Sequence, residues 1–152
     1  MPKLRTLALA LTITISTATL AGCGDDKPSA SEWRGKVIDV CTRLESDRQA
    51  AAASLPSDKA PTPDELMAFY DGFAPTFAKH VGEIKAFDRP KGLDTEINEF
   101  VTALDGAAKY LRSSASDPVA VKAEIASGGE DPKEFKRLEA ASTAAGLEKC
   151  NG

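Results

Sequence analysis

Apolar residues recur at steps of three and four along most of the chain, which is the period of one face of an α-helix. The first such stripe predicts a helix over about Ser31 to Ser54, capped by Ser29 or Ser31. Its apolar face comprises Trp33, Val37, Val40, Cys41, Leu44, Ala51 and Leu55. Three prolines within residues 55–63 then end this helix and predict a loop.

The second predicted helix carries the most aromatic segment of the chain. It opens at Thr62, with Pro63 at its first position and Glu65 three residues after Thr62, which is the pattern of a capping box. Its stripe comprises Leu66, Phe69, Tyr70, Phe73, Phe77, Val81, Ile84 and Phe87. Pro75 lies within this stripe. Because a proline inside a helix removes one backbone donor and collides with the preceding turn, we expect a kink or a break near Asp71–Pro75, with a second main helix kinked at Pro75 as the favoured form.

A third main helix and a short helix follow. A stripe of apolar residues from Leu93 to Leu111 predicts the third main helix, which ends in a serine-rich segment. Asp117 and Pro118 then have the order of a helix cap and a first helical position, so they predict a short helix over residues 119–127.

The last main helix has similar signals at both of its ends. Asp131 is the expected cap, and Pro132 and Glu134 complete the start signal. Gly146 is expected to end the helix. We therefore predict an all-α domain of four main helices plus one short helix. Because the loops are short, neighbouring helices should be antiparallel, as in an up-down bundle.

The start of the chain is typical of an exported protein. Lys3 and Arg5 precede an apolar run over residues 7–20, and the small residues Ala21 and Gly22 follow it. A basic start, a short apolar run and small residues at a cleavage position describe a secretory signal peptide. The run is shorter than the roughly 20 residues that a membrane-spanning helix needs, so spanning the membrane is the weaker interpretation.

The order Leu20-Ala21-Gly22-Cys23 resembles the lipobox of bacterial lipoproteins. This resemblance implies that the Cys23 thiol receives a diacylglycerol and that the signal peptide, residues 1–22, is cut off before it. Residues 23–31 would then form a lipidated tether, and residues 32–152 would form the helical bundle domain. The other interpretation is an ordinary secreted protein, cut near the same place, in which Cys23 carries no lipid.

The chain has three cysteines, Cys23, Cys41 and Cys150, so one of them is left over if two form a disulfide. If Cys23 is lipidated, Cys41 and Cys150 remain, and export places them where a structural disulfide is expected. A metal site is disfavoured because these cysteines are far apart in the sequence and His80 is the single histidine. The ending Ala-Ala-Gly-Leu-x-x-Cys, residues 144–150, also resembles that of small helical exported proteins of high-GC Gram-positive bacteria.

Charge narrows the range of partners. Removing residues 1–22 removes Lys3 and Arg5 and no acid, so the remaining chain, about one domain in length, has 17 basic and 23 acidic side chains. This acidic balance argues against nucleic acid and against a polybasic contact with anionic lipid headgroups. Membrane attachment would therefore depend on the acyl chains at Cys23.

The aromatic helix is the candidate ligand site. A helix kinked at Pro75 would pack unevenly, so an apolar pocket could open beside its rings. The residues expected to line such a pocket are Phe69, Tyr70, Phe73, Phe77 and His80. The favoured interpretation is simpler: the rings fill the core, and His80 has a structural or surface role.

The sequence carries no catalytic motif. One histidine, no free thiol and no acid–histidine–nucleophile cluster give little support for an enzyme, and no cofactor motif is present. We therefore expect a non-enzymatic lipoprotein on the outer face of the cytoplasmic membrane that binds a protein or an envelope component. The alternative is a binder of small apolar ligands, with its pocket beside the helix over residues 63–87. An exposed apolar patch would favour the first function, and a cavity of a few hundred cubic ångströms the second.

Overall fold

The computed structural model describes residues 27–128 and 130–151. This part of the chain contains five α-helices, one short 3₁₀ helix and no β-strand. The α-helices are α1 (Ala30–Ala52), α2 (Pro63–Lys85), α3 (Asp94–Ser114), α4 (Pro118–Ala126) and α5 (Lys133–Ala144), and the 3₁₀ helix spans Glu148–Cys150. The prediction of an all-α domain with four longer helices and one short helix is confirmed for these residues.

Several of the predictions concern the start of the chain. The signal peptide (residues 1–22), the lipidation site Cys23 and residues 24–26 of the tether lie outside the described residues. Ala30 and Ser31, which the sequence assigned to the tether, lie in the first turn of α1. In the described part of the chain, none of the helices has the length and apolar character needed to cross a membrane.

Three helices start at the capping residues that the sequence indicates. The Ser29 hydroxyl accepts a hydrogen bond from the Glu32 amide, and the Glu32 carboxylate accepts one from the Ser29 amide at 2.8 Å. Thr62 and Glu65 form the same capping box at the start of α2. The Asp117 carboxylate accepts from two backbone amides in the first turn of α4, each at 3.0 Å. These bonds satisfy amides that have no partner within the helix.

The start of α5 differs from the expectation. Asp131 was expected to cap this helix, but the helix begins at Lys133, and the cap position is occupied by Pro132, which makes no side-chain cap bond. At the starts of α2 and α4 a proline follows the cap, whereas here it occupies the cap position and moves Asp131 one residue away from the helix. The Pro132 carbonyl accepts from the Phe135 and Lys136 amides at 2.9 and 3.1 Å. The prediction of an Asp131 cap was therefore wrong.

The end of α5 follows the prediction. Gly146 has a φ of 71°, in the left-handed region that favours glycine. The Leu147 amide donates to the Ser142 carbonyl at 2.8 Å, and the Gly146 amide donates to the Thr143 carbonyl at 3.0 Å. These two bonds form a Schellman motif. The reversed chain direction buries the Leu147 side chain completely.

The helices pack around α2 and α3. α2 contacts α1, α3 and α4, and α3 contacts α5. α2 continues through Pro75 without a break. The fully buried apolar side chains include Trp33, Val37, Val40, Ile97, Phe100, Leu111, Val121 and Leu147. Each such side chain contributes about 1.5–3 kcal/mol relative to an exposed one.

The C-terminal end of the described chain packs on α1. Cys41 of α1 and Cys150 of the 3₁₀ helix lie at disulfide distance, with their Cα atoms 5.2 Å apart. The 3₁₀ helix contacts both α1 and α5. The structure therefore supports the pairing of Cys41 with Cys150 and places it at the junction of three elements.

Candidate functional site

A cavity of about 460 Å³ opens beside the aromatic face of α2. Phe69, Tyr70, Phe73 and Phe77, which the sequence singled out, all line it. These four residues follow one another at helical spacing, so they share one face of α2. The other apolar walls come from Leu44 of α1, Leu111 of α3, Phe135 and Leu138 of α5, the Cys41–Cys150 pair, and Pro132.

The rings beside the cavity pack in an ordered series. Phe69 and Phe73 are stacked with their centroids 5.6 Å apart, and Phe73 meets Phe77 at a tilt, with centroids 6.0 Å apart. Such stacked and edge-to-face arrangements are the favoured geometries of aromatic pairs. Tyr70, Phe73 and Phe77 are buried, and Phe69 is half-buried. The rings of α2 thus fill part of the core and also form a wall of the cavity.

A carboxylate held by two tyrosines lies at one edge of this wall. Tyr70 of α2 donates its hydroxyl to Glu124 Oε1 at 2.5 Å, and Tyr110 of α3 donates to Glu124 Oε2 at 2.6 Å. The two tyrosine rings meet edge to face, with centroids 6.1 Å apart. Glu124 and Tyr70 line the cavity. We call Tyr70, Tyr110 and Glu124 the tyrosine–glutamate cluster; it joins α2, α3 and α4.

The tyrosines of this cluster remain protonated at neutral pH. Burial raises the pKa of Tyr70 far above its ordinary value, and the hydrogen bond to Glu124 raises it further. Burial and the hydrogen bond to Glu124 also raise the pKa of Tyr110 to about 12. Both phenols therefore act as hydrogen-bond donors and hold the Glu124 carboxylate in place. A carboxylate accepts about four hydrogen bonds, so this one still offers acceptor positions to a ligand.

His80 lies outside the lining of the cavity. Its ring is buried on α2, with Nε2 at 2.8 Å from Asp47 Oδ2 of α1 and Nδ1 at 3.7 Å from Glu83 Oε2. The structure therefore separates the five residues that the sequence predicted to line a pocket. The four aromatic residues are brought together at the cavity, whereas His80 contacts Asp47 and connects α2 to α1.

Charged side chains also line the cavity. Arg48 donates to Glu45 from Nε and Nη2, both at 2.7 Å, so these two charges neutralise each other. The other charged lining residues are Glu124, Asp131, Glu139 and Lys149. Within the described residues, no group of three or more His, Cys, Asp and Glu side chains could hold a metal ion.

Two members of the tyrosine–glutamate cluster were not expected from the sequence. Tyr110 lies off the apolar stripe of α3, so helical spacing gave no reason to select it. Glu124 could have been noticed, because it lies three residues after Val121 and directly before Ile125 on a short helix. A carboxylate next to apolar positions requires polar partners when it is buried.

Comparisons with known proteins return no match. No protein-family model matches the chain, and neither a curated protein nor a solved structure matches it. The proposal below therefore depends on the chain's own residues and on the geometry of the cavity.

Proposed function

We propose that this protein is a non-enzymatic, lipid-anchored extracytoplasmic protein that binds a small apolar ligand. The observation that carries the proposal is the cavity of about 460 Å³ beside the aromatic face of α2. Ligand sites in proteins typically enclose roughly 300–1,000 Å³, and they combine mostly apolar walls with a few placed polar groups. The aromatic wall and the fixed Glu124 carboxylate have this character.

A module that binds a protein or an envelope component is the other candidate. Such a surface usually carries a contiguous exposed apolar patch. Among the described residues, Val119 is the single large hydrophobic side chain that is exposed, at 75%. One valine is a small contact area, so we favour the cavity as the binding element.

Binding to the cavity can be tested by calorimetric titration of the full-length chain with phenylbutanol, a neutral ligand with an apolar body. We expect saturable binding of one ligand per chain. Leu44→Trp places an indole at the cavity wall and should abolish this binding. The matched variant Leu55→Trp, at a half-buried leucine outside the lining, should leave it unchanged. If wild-type protein bound no ligand, or if both variants bound equally, the proposal would be wrong.

For the membrane anchor, we propose a thioether-linked lipid on Cys23. The proposal is supported by the order Leu20-Ala21-Gly22-Cys23 after a basic and then apolar segment. Cys23→Ala should release the protein from the membrane fraction or leave an uncleaved precursor, because alanine cannot form the thioether. Cell fractionation and intact mass measure this, and Asp26→Ala is the control that should stay anchored. Labelled fatty acid in the Cys23→Ala chain would place the anchor elsewhere.

For the fold, we propose that the helices follow an antiparallel up-down order and that α2 is kinked at Pro75. Contacts between consecutive helices, α1 with α2 and α2 with α3, support this order. Pro75 lacks an amide hydrogen, so the Asp71 carbonyl one turn earlier loses its helical partner. An experimental structure in which the two halves of α2 are collinear would contradict the kink.

A further inference from the structure

We propose that the ligand of this cavity is an organic cation, a small amine or quaternary ammonium compound with an apolar body. The inference rests on the proposed function, because it names the ligand class of the same cavity. Three properties of the lining support it: its charge, its aromatic side chains and the placement of one carboxylate.

The first property is an excess of negative charge. The bidentate contact between Glu45 and Arg48 cancels one charge of each sign. The lining then retains three carboxylates against one ammonium, that of Lys149. Charges that line a concave, partly dry site focus their field, so they attract a cation and repel an anion.

The second property is the aromatic wall. The face of an aromatic ring carries partial negative charge, and proteins bind ammonium ligands by surrounding them with such faces. Five aromatic side chains line this cavity, four from α2 and Phe135 from α5. The same rings also provide apolar contact area for the body of the ligand. The aromatic wall therefore suits both the ammonium group and the apolar body.

The third property is the fixed position of Glu124. Its two oxygens are held by the Tyr70 and Tyr110 hydroxyls, which are neutral donors and leave the negative charge uncancelled. None of the ion pairs among the described residues includes Glu124. A carboxylate that is already held in place loses little freedom when a ligand binds, and this favours affinity.

The ligand class can be tested with three molecules that share one body and differ in charge. Phenylbutylamine is cationic, phenylbutanol is neutral and phenylbutyrate is anionic at neutral pH. In calorimetric titrations of the full-length chain, we expect the amine to bind about tenfold more tightly than the alcohol. We expect phenylbutyrate to bind most weakly of the three. The preference for the amine should shrink as salt is added.

Two substitutions connect this preference to the lining. Glu124→Gln keeps the shape of the side chain and should remove most of the preference for the amine over the alcohol, with a much smaller effect on the affinity for the alcohol. The control is Glu99→Gln, on an exposed residue of α3 outside the cavity, which should change neither affinity. Asp131→Asn should weaken the binding of the amine alone. Because Asp131 lies outside the helices, this variant replaces Glu124→Gln as the test if Glu124→Gln does not fold.

The outcomes separate this inference from the proposed function. If the amine and the alcohol bind equally, or if phenylbutyrate binds most tightly, the cation inference is wrong and the cavity remains an apolar ligand site. If none of the three molecules binds, both the inference and the proposed function are wrong. An amine preference that survives both Glu124→Gln and Asp131→Asn would also overturn the inference.

Discussion

Glu124 is a half-buried carboxylate on a short helix that also carries Val121, which is completely buried. A buried polar group that finds no partner costs about 1–3 kcal/mol, and more if it is charged. The hydroxyls of Tyr70 and Tyr110 offset that cost by donating to both carboxylate oxygens. Glu124 thus joins α2, α3 and α4 and also lines the cavity.

The tyrosine–glutamate cluster predicts that both tyrosines lose their protons at a higher pH than an ordinary tyrosine does. Tyr70 and Tyr110 are the two tyrosines of the chain, so tyrosinate absorbance reports on this cluster alone. Their pKa values are raised from the ordinary 10.0, that of Tyr110 to about 12, so we expect little tyrosinate in the folded protein near pH 10. Because the folded chain retains protons that the unfolded chain releases, this contribution to stability is complete below pH 10 and is lost as the pH rises above it.

Ultraviolet absorbance during a pH titration of the folded protein measures this effect. Glu124→Gln removes the charge that opposes tyrosinate formation, so it should lower both midpoints, whereas Glu99→Gln should not. Two tyrosines that ionise near pH 10 in the folded wild-type protein would contradict the cluster.

At the scale of single residues, the sequence predicts the aromatic wall of the cavity but not the two partners of Tyr70 in the tyrosine–glutamate cluster. Phe69, Tyr70, Phe73 and Phe77 are identified by helical spacing alone, since residues three and four apart share a face. The pairing of Tyr110 with Glu124 depends on how α3 and α4 approach each other, and no local pattern encodes that approach. His80 has the spacing of the aromatic stripe, but a hydrogen bond to Asp47 places it against α1.

At the scale of helices, boundaries follow the sequence wherever a capping side chain stands immediately before the first turn. Ser29, Thr62 and Asp117 meet this condition, and each makes its cap bonds. Asp131 does not, because Pro132 separates it from α5. In this chain a capping residue is therefore predictive when it directly precedes the first helical residue.

The end of α5 provides a test at this scale. Gly146→Ala should destabilise the protein by about 1–2 kcal/mol, because a non-glycine residue at positive φ is strained. An added Cβ would also lie 3.0 Å from Arg34 Nε, which donates to the Ala145 carbonyl at 2.7 Å. Denaturant unfolding measures the change.

The matched control is Gly35→Ala in α1, where an added Cβ meets no atom within 4 Å. Alanine is the better helix former, so this variant should be as stable as wild type or more stable, by up to about 1 kcal/mol. Equal stability of the two variants would show that the turn at Gly146 does not constrain the C-terminal segment.

For the whole molecule, the cavity depends on residues that are distant in the sequence. Its walls come from all five α-helices and from the segment over residues 149–151. Cys41 and Cys150, 109 residues apart, both line it. The sequence predicts that these cysteines pair. It does not predict that the pair lies beside the aromatic face of α2, because that depends on the tertiary packing.

Reduction of the cysteine pair should therefore affect both stability and binding. Opening a cross-link of this span should lower the free energy of unfolding by about 4–5 kcal/mol in the chain-entropy model, and strain would reduce this figure. We also expect weaker ligand binding, because the pair forms part of the wall. Denaturant unfolding with and without reductant measures the first effect, and a Cys41→Ala/Cys150→Ala variant should not respond to reductant. Two freely alkylated thiols in the untreated protein would contradict the pairing.

The central claim is that the cavity beside α2 is a binding site for a small molecule. Its most direct test is a heteronuclear NMR titration of the full-length chain with phenylbutylamine. We expect saturable shifts at lining residues such as Phe73, Glu124 and Leu138, and unchanged signals from Ile97 and Val119, which lie outside the lining. Shifts scattered over the surface, or no shift of the lining residues at high ligand concentration, would contradict the claim.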